Sequence, residues 1–233
     1  MSFHTKKQAQ ERPSKERKPV AVPENKLKTW FPDLSPEVQS KLGIYLEELL
    51  KFNKAINLIS ISSVNKVEAV HFADSILAAQ LIRPAIHEGK VVFDFGSGNG
   101  FPGLIMSSMF PELEFVLVER DVRKTEFLKH IIARANLKNA KTLVVSVEDL
   151  PEGSCHNVVT RGFAALHKCM LLARKPMAKD GKLFHMKGDS FASELAGVPS
   201  QLFSHWNASL VGNYTLPETN SVETVVLTEK FTE

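Results

Sequence analysis

The residues best suited to chemistry in this chain form one run, Asp94-Phe95-Gly96-Ser97-Gly98-Asn99-Gly100-Phe101-Pro102-Gly103. It grows out of Val91 to Phe95, an apolar stretch of the kind that makes a buried parallel strand. Glycines at such a strand end let backbone approach a ligand closely and permit positive φ. An open α/β sheet binds its ligands there, beyond the carboxyl ends of the strands. A second apolar run, Phe115 to Val118, ends in Glu119, about 20 residues past the loop, where an acid can accept the ribose hydroxyls of an adenosine.

Two ligand classes compete for this pattern. Gly98-x-Gly100-x-x-Gly103 formally fits the dinucleotide fingerprint. Against that reading, Pro102 falls where a helix should carry N–H groups toward a pyrophosphate. Asp94 also puts a carboxylate where a dianion would have to sit. A carboxylate suits a cationic ligand, and S-adenosylmethionine has an ammonium, a sulfonium and no phosphate. The spacing favours a methyl donor over a nicotinamide dinucleotide. A tight strand-to-helix turn without a ligand is the plain structural alternative.

Three further positions fall on the same rim. Val147-Glu148 follows the third strand, beside the expected adenine; a surface acid is the ordinary reading of Glu148. Arg161 ends the fourth strand, where it could hold a phosphate or a guanine O6/N7 edge, or pair with Asp94 or another neighbour. Lys187 ends the fifth strand and, like most lysines, could simply be solvated. No Asn-Pro-Pro-Tyr-type tetrapeptide follows the fourth strand to hold an exocyclic amine. Cys155 and Cys169 lack the Pro-Cys context of a covalent pyrimidine mechanism, and no hydrolase His/Asp/Ser set stands out. An acceptor that needs no deprotonation suits these absences. Guanine N7 is one, and its catalysis would rest on in-line positioning and charge accommodation.

The elements that must position these groups are legible in outline. Ser35-Pro36-Glu37 starts a helix whose apolar face (Val38, Leu42, Tyr45, Leu46, Leu49, Phe52) runs to about Phe52. Residues 53–63 read as a break and Lys66 to Leu81 as a second helix. Strands are then expected at 91–95, 115–118, 142–145, 157–160, 182–186, 209–214 and 223–227, with helices at 104–110, 122–135 and 164–174. This alternation predicts a Rossmann-like α/β fold, a mostly parallel seven-stranded sheet whose last pair is antiparallel. We divide the chain into a basic arm (1–28, with order beginning near Trp30), a helical extension (29–88) and a methyl-donor domain (89–233).

Composition agrees with a globular body: 43% hydrophobic and 24% charged over 233 residues. No apolar stretch is long enough to span a membrane, no secretory h-region is present, and two cysteines exclude a disulfide scaffold or a multi-cysteine zinc site. We expect a cytoplasmic, metal-free monomer. Residues 1–28 hold eight basic and three acidic side chains, a net +5 within a chain of net +3, which leaves −2 for the rest.

Several motifs in order resemble the bacterial small-subunit ribosomal RNA guanine-N7 methyltransferase family RsmG, also called glucose-inhibited division protein B. They are Phe52-Asn53-Lys54-Ala55-Ile56-Asn57-Leu58, His71-Phe72-Ala73-Asp74-Ser75, Asp94 to Gly103 with its terminal Pro-Gly, Val147-Glu148, Arg161-Gly162-Phe163-Ala164 and Lys187-Gly188. The resemblance runs from about Leu34 to Val226. It implies S-adenosylmethionine-dependent methylation of one guanine N7 in 16S ribosomal RNA, free or in the small-subunit particle, with Gly96, Phe101, Val147, Glu148 and Arg161 contacting or bordering the cofactor. The chain departs from the family at Phe52 (Trp), Val70 (Arg), Ser146 (Arg) and Gly162 (Ala). A non-catalytic RNA-binding module on this fold and a nucleotide-dependent oxidoreductase are the competing functions.

The +5 arm could replace the two missing arginines in gripping RNA. Deleting residues 1–28 should then weaken RNA binding and flatten its salt dependence. An unchanged slope of log Kd against log salt removes the idea.

Overall fold

The computed structural model describes residues 26–188 and 191–232. Most of the basic arm lies outside the described residues. Its expected boundary shifts, because α1 spans Leu27–Trp30 and Leu27 is buried in the core. The backbone N–H of Lys26 donates to Glu68 Oε1 at 2.8 Å. Ordered packing thus reaches back past position 28, because Leu27 is a core residue that charge counting had grouped with the arm.

Helix α2 (Pro36–Ile56) starts as its sequence predicts, with Ser35 Oγ accepting from Val38 N and Pro36 in the first turn. It outruns the expected end at Phe52 and closes at Asn57 in the left-handed conformation, φ 49°. The Asn- and Ser-rich break contains a short α3 (Ile61–Val64) capped by Ser60 Oγ. The next helix is not uniform: Glu68–Ala73 is a π-helical turn that runs into α4 (Asp74–Ile82). Such turns change which side chains share a face, and they recur at functional sites.

The sheet contains β1 (Val92–Phe95), β2 (Phe115–Val118), β3 (Ala140–Leu143), β4 (Cys155–Arg161), β5 (Met177–Lys187), β6 (Trp206–Thr215) and β7 (Val222–Lys230). Their order is β3-β2-β1-β4-β5-β7-β6. β1 to β5 are parallel; β7 runs antiparallel to β5 and β6. The interleaved helices are α5 (Gly103–Met109), α6 (Val122–Arg134), α7 (Leu166–Ala173) and α8 (Phe191–Ala196). β3 lies two residues earlier than the apolar pattern suggested. Its ladder ends where Glu119 N takes the Leu143 carbonyl, leaving Val144 and Val145 outside the sheet.

One face of the sheet is covered by α2, α4, α5 and α6, and the other by α7 and α8. Strand order reverses between β1 and β4, so the glycine loop after β1 lies at the switch point where doubly wound sheets bind ligands. The helical extension reaches this loop directly. Tyr45 of α2 is 1% exposed, stacks on Phe101 with centroids 5.0 Å apart, and donates its hydroxyl to the Asn99 carbonyl at 2.5 Å. Asn99 Nδ2 in turn donates to the Leu58 carbonyl at 3.0 Å.

Tyr45→Phe leaves the packing intact and strands the Asn99 carbonyl. It should cost about 1 kcal/mol of stability, read as a lower urea midpoint with an unchanged slope. An unchanged midpoint would show that this hydroxyl does not anchor the loop.

Candidate active site

The glycine loop is built by backbone capture. The N–H groups of Gly96 and Ser97 both donate to the Val118 carbonyl, at 3.0 and 3.1 Å, folding the loop across the end of β2. Gly96, Gly98 and Gly100 have φ of 70°, 53° and 99°. At Gly96 the lack of a side chain is also a packing requirement, since a Cβ there would lie 2.3 Å from the Phe163 ring. Glu119 holds the loop from the neighbouring strand: Oε2 accepts from Gly98 N at 2.9 Å and Oε1 from Asp121 N at 2.8 Å.

A cleft of about 560 Å³ opens over this loop, within the size range of small-ligand sites. Gly96, Gly98, Phe101, Glu119, Val147, Glu148 and Arg161 all line it. Seven positions picked from sequence therefore converge on one cavity. Phe163, part of the quoted Arg161–Ala164 motif, lines it too, as do Arg120, Lys124 and Lys168, which carried no sequence signal of their own.

Asp94 is placed differently from the sequence expectation of a carboxylate facing a cation in the cleft. It is 1% exposed and lies beneath the loop, where Oδ2 accepts from Gly103 N at 3.1 Å. The physical reason is the approach of α5: Gly103 comes so close that a Cβ on it would meet Asp94 Oδ2 at 2.6 Å. Oδ1 is buried with no hydrogen-bond partner. Burial pushes the carboxyl up to about 7, against the pull of the Gly103 N–H.

Arg161 does not reach Asp94; its guanidinium is gripped by the helical extension. Nε lies 3.1 Å from Asp74 Oδ2, and Nη2 donates to the Val70 carbonyl at 3.0 Å and to His71 Nδ1. Its Cζ stands 5.5 Å from the centre of the Phe101 ring, which His71 also stacks on at 5.2 Å. Tyr214 of β6 donates to the other Asp74 oxygen at 2.6 Å. Burial, with the Arg161 charge adding to it, pushes His71 down to about 3, which keeps the imidazole neutral and able to accept that bond. His71 and Asp74 lay within a motif quoted from sequence, but nothing in their spacing pointed to an arginine 87 to 90 residues downstream.

Lys187 is likewise engaged. Its Nζ donates to the Ala164 carbonyl at 3.0 Å and to Glu194 Oε2 at 2.7 Å, bracing the turn after β4. Arg161, Gly162 and Lys187 also border a second cavity of about 300 Å³, on the side of β4 away from the glycine loop. Of the departures from the family pattern, Ser146 lines the first cavity and Val70 the second.

The donor set fits an adenosyl ligand. A side-chain-free cradle at Gly96 and Gly98, a strand-end carboxylate at Glu119 and the turn at Val147-Glu148 surround one cleft at the switch point. Among the described residues no His/Cys/Asp/Glu group could hold a metal ion, and no helix is long and apolar enough to cross a membrane. Burial pushes both cysteine thiols up to about 11, so neither is a thiolate nucleophile near neutral pH.

Sheet order, loop and strand-end acid define the Rossmann-like S-adenosylmethionine-dependent methyltransferase class. A solved S-adenosylmethionine-dependent methyltransferase from Aquifex aeolicus shares the fold, with a TM-score of 0.53 at 12% identity, covering 73% of this chain and 98% of that one. The rRNA small subunit methyltransferase G (GidB) family model matches residues 38–214. Ribosomal RNA small subunit methyltransferase G 3 of Bdellovibrio bacteriovorus is 43% identical over 201 residues, covering 86% of this chain and 91% of the relative. The Paracoccus denitrificans methyltransferase G is 35% identical, covering 73% and 84%. The chain belongs to the rRNA small subunit methyltransferase G family.

Because its folded pKa is raised, the Asp94 carboxyl favours the native state fully below its ordinary value of about 4. That contribution is lost as pH rises through about 7. Asp94→Asn should therefore gain stability relative to the parent chain between those two values and hold a constant difference above them. Urea midpoints of both proteins across this range check it; parallel curves would contradict it.

Proposed function

We propose that this chain transfers a methyl group from S-adenosylmethionine to the N7 of one guanine in 16S ribosomal RNA. Family membership supports the substrate class. The observation that carries the choice of atom is the absence, among the described residues lining the cleft, of any histidine or cysteine that could take a proton. The one histidine against Phe101 is buried and holds Arg161. Guanine N7 needs no base, because its lone pair is already free.

The chain's own residues then bind, orient and exclude water. Glu119 is placed to accept from the ribose hydroxyls, and the Val147-Glu148 turn borders the adenine. Phe101 and the Phe163–Ala164 turn wall the cleft where the reacting carbon must point. When bound, the donor supplies an electrophilic methyl: the carbon–sulfur bond breaks with its electron pair left on sulfur, the N7 lone pair makes the new bond, and positive charge moves from sulfonium to base. Catalysis is positioning plus accommodation of that charge. A ribosomal RNA acceptor supports a cytoplasmic location for the protein.

The test is incubation with methyl-labelled donor and ribosomal RNA from cells lacking the protein. Label should appear on guanine N7 of the small-subunit RNA. Glu119→Ala should weaken binding of the demethylated product, S-adenosylhomocysteine, by about tenfold or more. Label on an exocyclic nitrogen, a ribose or a pyrimidine carbon would overturn the assignment, as would normal product binding by the Glu119 variant.

A further inference from the structure

The donor cleft carries more positive charge than its ligand calls for. Its lining cations are Arg120, Lys124, Arg161 and Lys168, and its lining carboxylates, among the described residues, are Glu119 and Glu148. Arg161 is neutralised by Asp74, whose Oδ2 lies 3.1 Å from its Nε. Three cations against two carboxylates remain. S-adenosylmethionine adds a further net positive charge, from a sulfonium and an ammonium against one carboxylate. Seating a cation in a cleft that is already net positive is electrostatically adverse, and an anionic third participant removes the conflict.

The three cations are placed for such a participant. Arg120 follows β2, Lys124 stands in the first turn of α6, and Lys168 lies on α7. Because α6 and α7 cover opposite faces of the sheet, positive charge flanks the cleft from both layers. Arg120 and Lys168 are exposed and Lys124 is half-buried. Among the described residues no ion pair or side-chain hydrogen bond holds any of the three. Lys124 feels the charge of Asp121, but that carboxylate already caps α6 through Arg123 N at 2.8 Å and pairs with the Arg123 guanidinium at 3.8 Å. An RNA strand laid across the mouth presents a phosphate at every nucleotide. Phosphate contacts fix register and orientation while a base is offered to the reacting carbon.

We propose that Arg120, Lys124 and Lys168 form a phosphate clamp around the mouth of the donor cleft, gripping the RNA backbone on either side of the acceptor nucleotide. The inference rests on the methyltransferase reading above and names the part of that site that meets the backbone. The clamp also couples the two substrates. Phosphates that neutralise it make the cleft a better host for a sulfonium. RNA therefore raises affinity for S-adenosylmethionine more than for S-adenosylhomocysteine, which carries no net charge. Linkage makes the coupling mutual: the methyl donor tightens RNA binding more than its demethylated product does.

The experiment compares the full parent chain with Arg120→Ala, Lys168→Ala and the two combined. The RNA is a small-subunit ribosomal fragment with 7-deazaguanine at the target position. That base has no N7 to methylate, so donor and RNA can be bound together without turnover. Each single substitution should flatten the slope of log Kd against log salt by about 0.7 to 0.9, and the pair by about twice that. Lys168→Arg keeps the charge and should keep the parent slope. In the parent, the fragment should raise donor affinity about threefold more than it raises S-adenosylhomocysteine affinity, and the double variant should lose most of that preference. Urea midpoints should match the parent, since both positions are exposed and unpaired among the described residues. A parent-like salt slope in the double variant, from a chain that still methylates guanine N7, overturns the clamp and leaves the donor reading standing. Loss of S-adenosylhomocysteine affinity with a parent-like midpoint also overturns it, because the cation then holds the carboxylate of the donor itself. A parent chain that places no methyl on N7 overturns both.

Discussion

The buried pair between Asp74 and Arg161 is the contact on which the arrangement of this site depends. Asp74 belongs to the helical extension and Arg161 to the end of a central strand, and Tyr214 from the far edge of the sheet closes on the same carboxylate. Three parts of the chain distant in sequence therefore meet at one charge. Burial raises the Asp74 carboxyl, while the guanidinium and the tyrosine hydroxyl pull it back. Breaking such a pair by removing one partner typically costs 3–5 kcal/mol, because a desolvated charge is left behind. The extension is thus part of the site's wall: Asp74, His71 and the Val70 carbonyl together hold the guanidinium over Phe101.

That contact also explains the form of the glycine loop. Phe101 is pinned from several sides by Tyr45, His71, Phe72 and the Arg161 guanidinium. The loop backbone is tied to β2 by two N–H groups and to Glu119 by a third. Little is left to rearrange when a ligand arrives, and preorganisation of this kind is where an enzyme that moves no proton can gain rate.

Much of the sheet was legible because strands buried on both faces read as unbroken apolar runs and glycines mark where they end. The loop from Asp94 to Gly103 and the acid at Glu119 stood out for the same local reason. Non-local features did not. Leu27 looked like part of a charged arm, since nothing in its neighbourhood shows that it finishes a core. Asp94 looked like a ligand-facing acid, because its type and position suit that role equally well; only the close approach of Gly103 turns it inward. The partners of Arg161 and Lys187 come from helices whose docking no spacing rule specifies. β3 was displaced because Val144 and Val145 are as apolar as the residues before them, and ladder register, not composition, ended the strand.

The first described residue links two parts of the fold. Lys26 forms an ion pair with Glu218 at 2.7 Å, and Glu218 sits in the same β6–β7 turn as Leu216, Thr219 and Ser221. Its backbone N–H meanwhile donates to Glu68 of the π-helical turn. One lysine thus joins the entry to the helical extension with the last turn of the sheet, so the two ends of the described chain are fastened to each other at a single residue.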